Sequence, residues 1–187
     1  MAKIGLNNFW YSVATISAQD GTITYGTPAS PGKAVTFSMT PTLADASLYA
    51  DDVLQEYDNQ VTGADITLGL DRFDEATSNA LLGHTFGTSP DTAVQTSDIA
   101  DVAPYVGIGR ITRIMVDNVQ KYRATVIKLV KFQEPTDEDT TRGETVQFNT
   151  YELQGKMKVP ADGKWRVRET FDSQASAVTW LKGQIGG

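Results

Sequence analysis

Carboxylates crowd residues 134 to 144, where Glu134, Asp137, Glu138, Asp139 and Glu144 stand against the single base Arg142. Such a cluster could hold a cation, act as paired catalytic carboxylates, or form the solvated tip of a hairpin. Aligned with a calcium loop beginning at Asp137, Asp139 and Thr141 fall on ligand positions. Arg142 then takes the obligatory glycine and Phe148 the closing carboxylate, which rules out an EF-hand loop. Paired glycosidase carboxylates need aromatics lining a cleft, and no cleft is legible here. These residues favour a charged hairpin tip, solvated unless a partner covers it.

Other chemistry is sparse. The only histidine, His84, follows Gly83 at the end of a helical pattern, where capping of the helix C-terminus is the simpler role. The nearest approach to a nucleophile elbow, "GTSPD" at 87 to 91, has Asp91 in place of the second glycine. In "GIGRIT", Thr112 stands where a dinucleotide fingerprint needs its third glycine, so the segment reads as the entry to a strand. There is no phosphate-binding loop and no cysteine, which excludes disulfides and thiolate metal sites. The expectation is a non-enzymatic chain with no catalytic set, cofactor or metal. In "ASLYADDVLQEYDN", Tyr49, Leu54 and Tyr57 form either an anchor surface rimmed by Asp51 and Asp52 or a plain connection between strands.

The positioning elements are mostly strands. In "KAVTFSMTPT" Val35, Phe37 and Met39 alternate with polar residues, as do Ile66, Leu68 and Leu70 in "DITLGLD". In "KWRVRETF", Trp165, Val167 and Phe171 face one way and Lys164, Arg166 and Arg168 the other. Residues 122 to 133 are apolar on both parities, the mark of a central strand covered on both faces. A change of phase after Phe148, near Asn149 or Thr150, suggests a β-bulge. Two stretches predict short helices: "FDEATSNALLGH", capped by Asp74 or Glu75 and stopped by Gly83, and "FDSQASAVTWLKGQIGG", with Asp172 or Ser173 as cap. In the second, Ala177, Val178 and Leu181 share one face ahead of Gly183. Residues 84 to 104 read as a long surface loop.

With 187 residues, one domain spanning 1–187 is expected. The net charge of −7 disfavours a module that grips nucleic acid through its phosphates. The start "MAKIGLNNFWYSV" has no signal-like apolar run, and no window is long and apolar enough to span a bilayer. A soluble protein made in a cytoplasm is therefore the expectation.

Taken in order, several segments resemble a known family: "KIGLNNFWYS", "LYADD", "DITLGLD" followed by "LLGH", "PYVGIG", "RGETVQFNTYELQGKM", "GKWRVRETFDS" and "AVTWLKG". Together they cover nearly the whole chain and resemble the major tail proteins of long, non-contractile-tailed bacteriophages, the subunits of the tail tube. The resemblance implies a β-sandwich or partly closed barrel with one or two short flanking helices, similar to the type VI secretion tube subunit. It implies hexameric rings that stack into a tube delivering DNA, within a virion assembled in the bacterial host. Implied partners are the chain itself and the tape measure, tail terminator and distal tail proteins, with DNA passing unbound and no membrane involved. Some relatives carry a further immunoglobulin-like domain, which is not expected here. On this resemblance Tyr49, Asp51, Asp52, Glu134, Asp137, Glu138, Asp139 and Arg142 become candidates for contacts between subunits. A carbohydrate-binding or adhesin-like β-sandwich associated with a tail is the rival, distinguished by exposed aromatic platforms.

Overall fold

A computed structural model describes residues 2–50, 53–89, 92–136 and 150–187. The elements run β1 (Ala2–Ile16), β2 (Ile23–Tyr25), β3 (Ala34–Ala50), β4 (Val53–Leu70), α1 (Glu75–Leu82), β5 (Thr85–Ser89) and β6 (Thr92–Thr96). They continue with β7 (Tyr105–Val116), β8 (Val119–Phe132), β9 (Tyr151–Lys158), β10 (Arg166–Phe171) and α2 (Gln174–Gln184). The chain is mainly β, as its alternating pattern predicts. Eight strands form one antiparallel sheet in the order β2-β1-β7-β8-β9-β4-β3, with β10 also on β8.

Strand β8 organises this sheet. It pairs with β7 along one edge and shares the other between β10, at Tyr122–Ile127, and β9, at Val130–Phe132. The handover falls at a bulge: Ile127 faces Ile108 and Val130 faces Val106, three steps against two. The extra residue lets Ile127 and Val130 enter the same core. The turn from β7 to β8 is two residues long, with Asp117 and Asn118 both at positive φ (49° and 62°), as the twist of a tight hairpin requires.

The sheet curls until Phe37 of β3 meets Phe9 of β1, with ring centroids 6.1 Å apart. No ladder joins β3 to β1 among the described residues, so the barrel stays open and the arrangement is sandwich-like. Between the halves lies the larger core, built from Ile66, Leu68, Leu70, Ile108, Ile127, Val130, Phe132 and Leu153, with α1 closing one end through Leu81 and Leu82. On the far side of β7 and β8, α2 buries Ala177, Leu181 and Ile185 against Ile111, Ala124 and Val126. Strand β8 is therefore covered on both faces, as its sequence predicts.

Local signals explain the helix ends. Asp74 Oδ1 accepts from the Thr77 amide at 2.9 Å, and Gly83 closes α1 at φ 81°, where a side chain would be strained. Helix α2 runs through Gly183 to Gln184, because Ile185 is drawn into the core and holds the last turn in place. Three other expectations are corrected. Val35 is 53% exposed rather than buried with Phe37, since a register irregularity between Ala34 and Thr36 turns it outward. Trp165 precedes β10 and packs on the larger core, whereas Phe171 packs beneath α2. Residues 84 to 104 are not all loop: β5 and β6 pair as a separate hairpin.

Helix α2 sits close because β7 carries glycine beneath it. A Cβ on Gly109 would lie 2.5 Å from Leu181 Cδ2. Gly109→Ala is expected to destabilise the fold by about 1–3 kcal/mol through overpacking. The penalty should shrink when Leu181 is also Ala, since the two residues share one contact. Urea unfolding of the single and double variants measures both effects.

Candidate functional site

Three features carry charge or exposure beyond what the fold needs: a ribbon, a histidine clamp and a row of arginines. The ribbon is the far half of β3 and β4. Strand β9 covers β4 only from Gly63 to Leu70, so the pairs from Leu43↔Val61 outward form a two-stranded arm. Beyond Val61, which still packs on the larger core, its described side chains are exposed on both faces, with Leu43 at 46% and Tyr57 at 55%. The segment 46–59 is a structured connection in that β3 and β4 stay paired as far as Ala50↔Val53; the anchor surface of Tyr49, Leu54 and Tyr57 has its Tyr49 and Leu54 side chains outside the described residues. Tyr57 Oη donates to Asp45 Oδ1 at 3.2 Å across the ladder. Tyr49 lies near the end of β3, with its side chain outside the described residues, as are Asp51 and Asp52.

The arm is acidic. From Ala34 to Asp71 the sequence has no lysine or arginine, while Asp45, Glu56 and Asp58 are exposed along it. Asp45 lies opposite Asn59, and Asp58 opposite Ala46, so Glu56 and Asp58 share one face and Asp45 takes the other.

Glu134 is the described member of the carboxylate cluster that opened the sequence. Asp137, Glu138, Asp139, Arg142, Glu144 and the proposed bulge near Asn149 lie outside the described residues. Glu134 follows β8 and meets His84, whose Nε2 lies 2.9 Å from its Oε2, while Nδ1 lies 3.0 Å from Asp101 Oδ2. His84 does not cap α1; that end is closed by the Gly83 amide on the Asn79 carbonyl. His84 is 6% exposed and ties the α1–β5 junction to the approach of β7 and the exit of β8. The three residues are 17 and 50 positions apart, and no local pattern announces their meeting.

Both ring nitrogens face carboxylates, and a carboxylate only accepts, so both bonds exist together only in the imidazolium form. The Asp101 bond foremost, helped by Glu134 and opposed by burial, raises the His84 pKa above its ordinary value. The Asp98 amide, then His84, holds Asp101 below the usual carboxylate range. Neither nitrogen is left to act on a substrate, so the arrangement is a clamp rather than a catalytic relay. Among the described residues no side-chain group is arranged to hold a metal ion.

The third feature crosses β7, β8 and β10. Arg110 and Arg168 both lie opposite Thr125, and Arg166 lies opposite Ile127, which puts the three arginines on one face. The Arg110 guanidinium stacks on Phe37, 4.3 Å from the ring centroid, and its Nε is buried without a hydrogen-bond partner. Burial, then Arg168 and Arg166, lowers the Arg110 pKa, while burial, then Arg166 and Arg123, lowers that of Arg168. The sequence shows Arg166 and Arg168 on the wet face of a strand, but not that the sheet brings Arg110 alongside. Comparison with known protein families and with curated proteins finds no match to this chain.

The clamp sets a pH dependence. A raised folded-state pKa contributes stability that is fully present below the unfolded value, about 6.5 for histidine, and lost as pH rises through the folded value. Asp101 works in the opposite sense: its contribution is lost as pH falls through its depressed pKa. The stability difference between wild type and His84→Gln should therefore be largest near about pH 6 and shrink toward alkaline pH. Urea midpoints of both proteins across that range test it, and a difference that grows with pH contradicts the clamp.

Proposed function

We propose that this chain is a non-enzymatic structural subunit that self-assembles into stacked rings, forming the tail tube of a long, non-contractile-tailed phage. Its place is then the virion, with DNA passing through the assembled tube. The observation that carries this reading is the β3–β4 arm. A two-stranded ribbon with both faces in water is marginal on its own, and this one extends about eight residue pairs, roughly 26 Å, past its last supporting strand. Such an arm is useful when a neighbour covers it. Among the described strands the open sheet also leaves β2 and β3 as edges available for pairing between subunits. The ordered segments quoted above supply the family resemblance.

The rival receptor-binding sandwich draws no support from the aromatics. Trp10 and Trp180 pack around α2, and Trp165 packs on the larger core, so none forms an exposed platform. Among the described residues no helix is long and apolar enough to cross a membrane.

Replacing residues 43 to 60 with an Asn-Gly turn tests the proposal. The shortened chain should keep its fold, with stability changed by about 1 kcal/mol or less, because the arm lies outside both cores. Its assembly should be lost. Circular dichroism melting reports the first effect, and sedimentation velocity with negative-stain microscopy the second. The full chain should form rings or fibres at high concentration; a full chain that stays monomeric in every salt condition sinks the proposal.

A further inference from the structure

We infer that the arginine row on β7 and β10 is the seat for the acidic β3–β4 arm of a second copy of this chain. The inference rests on the self-assembly reading and adds the contact. Arg110, Arg166 and Arg168 share a face; burial first, and then the neighbouring arginines, lowers the pKa of Arg110 and of Arg168, so like charges are crowded there. The ion pairs formed among the described residues are Lys121–Asp172, Lys128–Asp162 and the two at His84, none of which involves these arginines. The Arg110 Nε meanwhile has lost its water without gaining an acceptor. A buried, unsatisfied donor on a charged group is costly. Carboxylates arriving at the accessible ends of the row would offset the crowding of like charges, and guanidinium groups match carboxylates fork to fork.

The chain carries such carboxylates where its own arginines cannot use them. Arg110 stacks on Phe37 at the root of the arm, whereas Asp45 lies eight residues further along β3, about 26 Å away in an extended strand. Glu56 and Asp58 lie beyond Asn59, the residue opposite Asp45. The arm projects away from the row at whose edge it begins, so a second copy must supply the contact.

Spacing agrees with charge. Glu56 and Asp58 are two residues apart on one face of β4, and Arg166 and Arg168 are two residues apart on one face of β10. Side chains two apart on a strand stand about 7 Å from one another, so both pairs can form together. Strand β10 has β8 as its neighbour on one side and no partner on the other among the described strands. Basic side chains on such an edge repel indiscriminate pairing but favour an acidic ribbon, where opposite charges across strands are stabilising. The contact is head to tail, because arm and seat are different surfaces, and head-to-tail contacts close into rings or propagate as filaments.

Charge reversal tests the assignment. One variant carries Arg166→Glu with Arg168→Glu, the other Glu56→Lys with Asp58→Lys; circular dichroism establishes that each is folded. Where wild type assembles, each variant alone should assemble at least about a hundredfold more weakly, since juxtaposed like charges cost several kcal/mol. An equimolar mixture should regain assembly, because each native arm then meets a native seat and each reversed arm a reversed seat. Sedimentation velocity across a salt series reads all of this, with the wild-type contact weakening as salt rises. Wild-type-like assembly of the seat variant, or a mixture no better than its components, overturns the inference and leaves self-assembly standing. Monomeric wild type removes both. If the seat variant loses binding of duplex DNA or inorganic phosphate while its assembly is unchanged, the row belongs to phosphate and the arm does not dock there.

Discussion

The architecture depends on one strand that must satisfy three neighbours. β8 gives its first edge to β7 and divides its second between β10 and β9. Division is possible because the bulge between Ile127 and Val130 re-aims the strand while both side chains stay in the larger core. Ala124 and Val126, on the opposite face, sit beneath α2. Fully burying an aliphatic side chain such as Val126 stabilises the fold by about 1.5–3 kcal/mol, and β8 does this on both sides at once. The same division has a consequence at the surface. Among the described strands β9 covers β4 no further than Gly63 and β10 has no second neighbour, so the arm and the arginine strand are the parts the central strand leaves unsupported there.

Charge is segregated along these lines. The β3–β4 hairpin contains no basic residue, and the net charge of −7 conceals a sheet face on which arginines gather. Sheets commonly place opposite charges across from one another within the chain. Here β7 and β10 put like charges around Thr125 instead. Local conflict of this kind is expected where a surface is shaped by something outside the monomer. The assembly reading gives both halves of the pattern one cause.

How far the sequence revealed this can be judged residue by residue. Alternation located Ile66, Leu68 and Leu70, all at 1% exposure or less, and the apolar density of 122 to 133 marked the central strand. Asp74 and Gly83 bounded α1 because capping is local chemistry. Reading failed where the cause was distant. Val35 turned outward at an irregularity set by pairing with β4, and His84 left its helix for carboxylates far along the chain. The hairpin β5–β6 was masked by its Thr, Ser and Asp content, a composition that also marks loops. Among the candidate residues, Glu134 also meets His84 in the clamp, and alternation set Arg166 and Arg168 on one face without revealing Arg110 beside them. Alternation reports which side a residue faces, not which strand will lie beside it.

That distinction bears on how assembly would be controlled. An arm already paired along its length loses little conformational freedom on docking, so the entropy that normally opposes ordering a loop at an interface is largely absent. What remains is set by charge. Among its described side chains, the arm offers the carboxylates of Asp45, Glu56 and Asp58 with Leu43 and Tyr57 as exposed apolar neighbours. A contact of that composition gains more in orientation and encounter rate than in affinity. On the proposed assembly, one arm on one seat would be a weak bond, durable only when a closed ring or a stack engages many at once. A subunit that assembled this way would stay apart when dilute and commit once its neighbours were in place, the behaviour that the proposed tube would require of its rings.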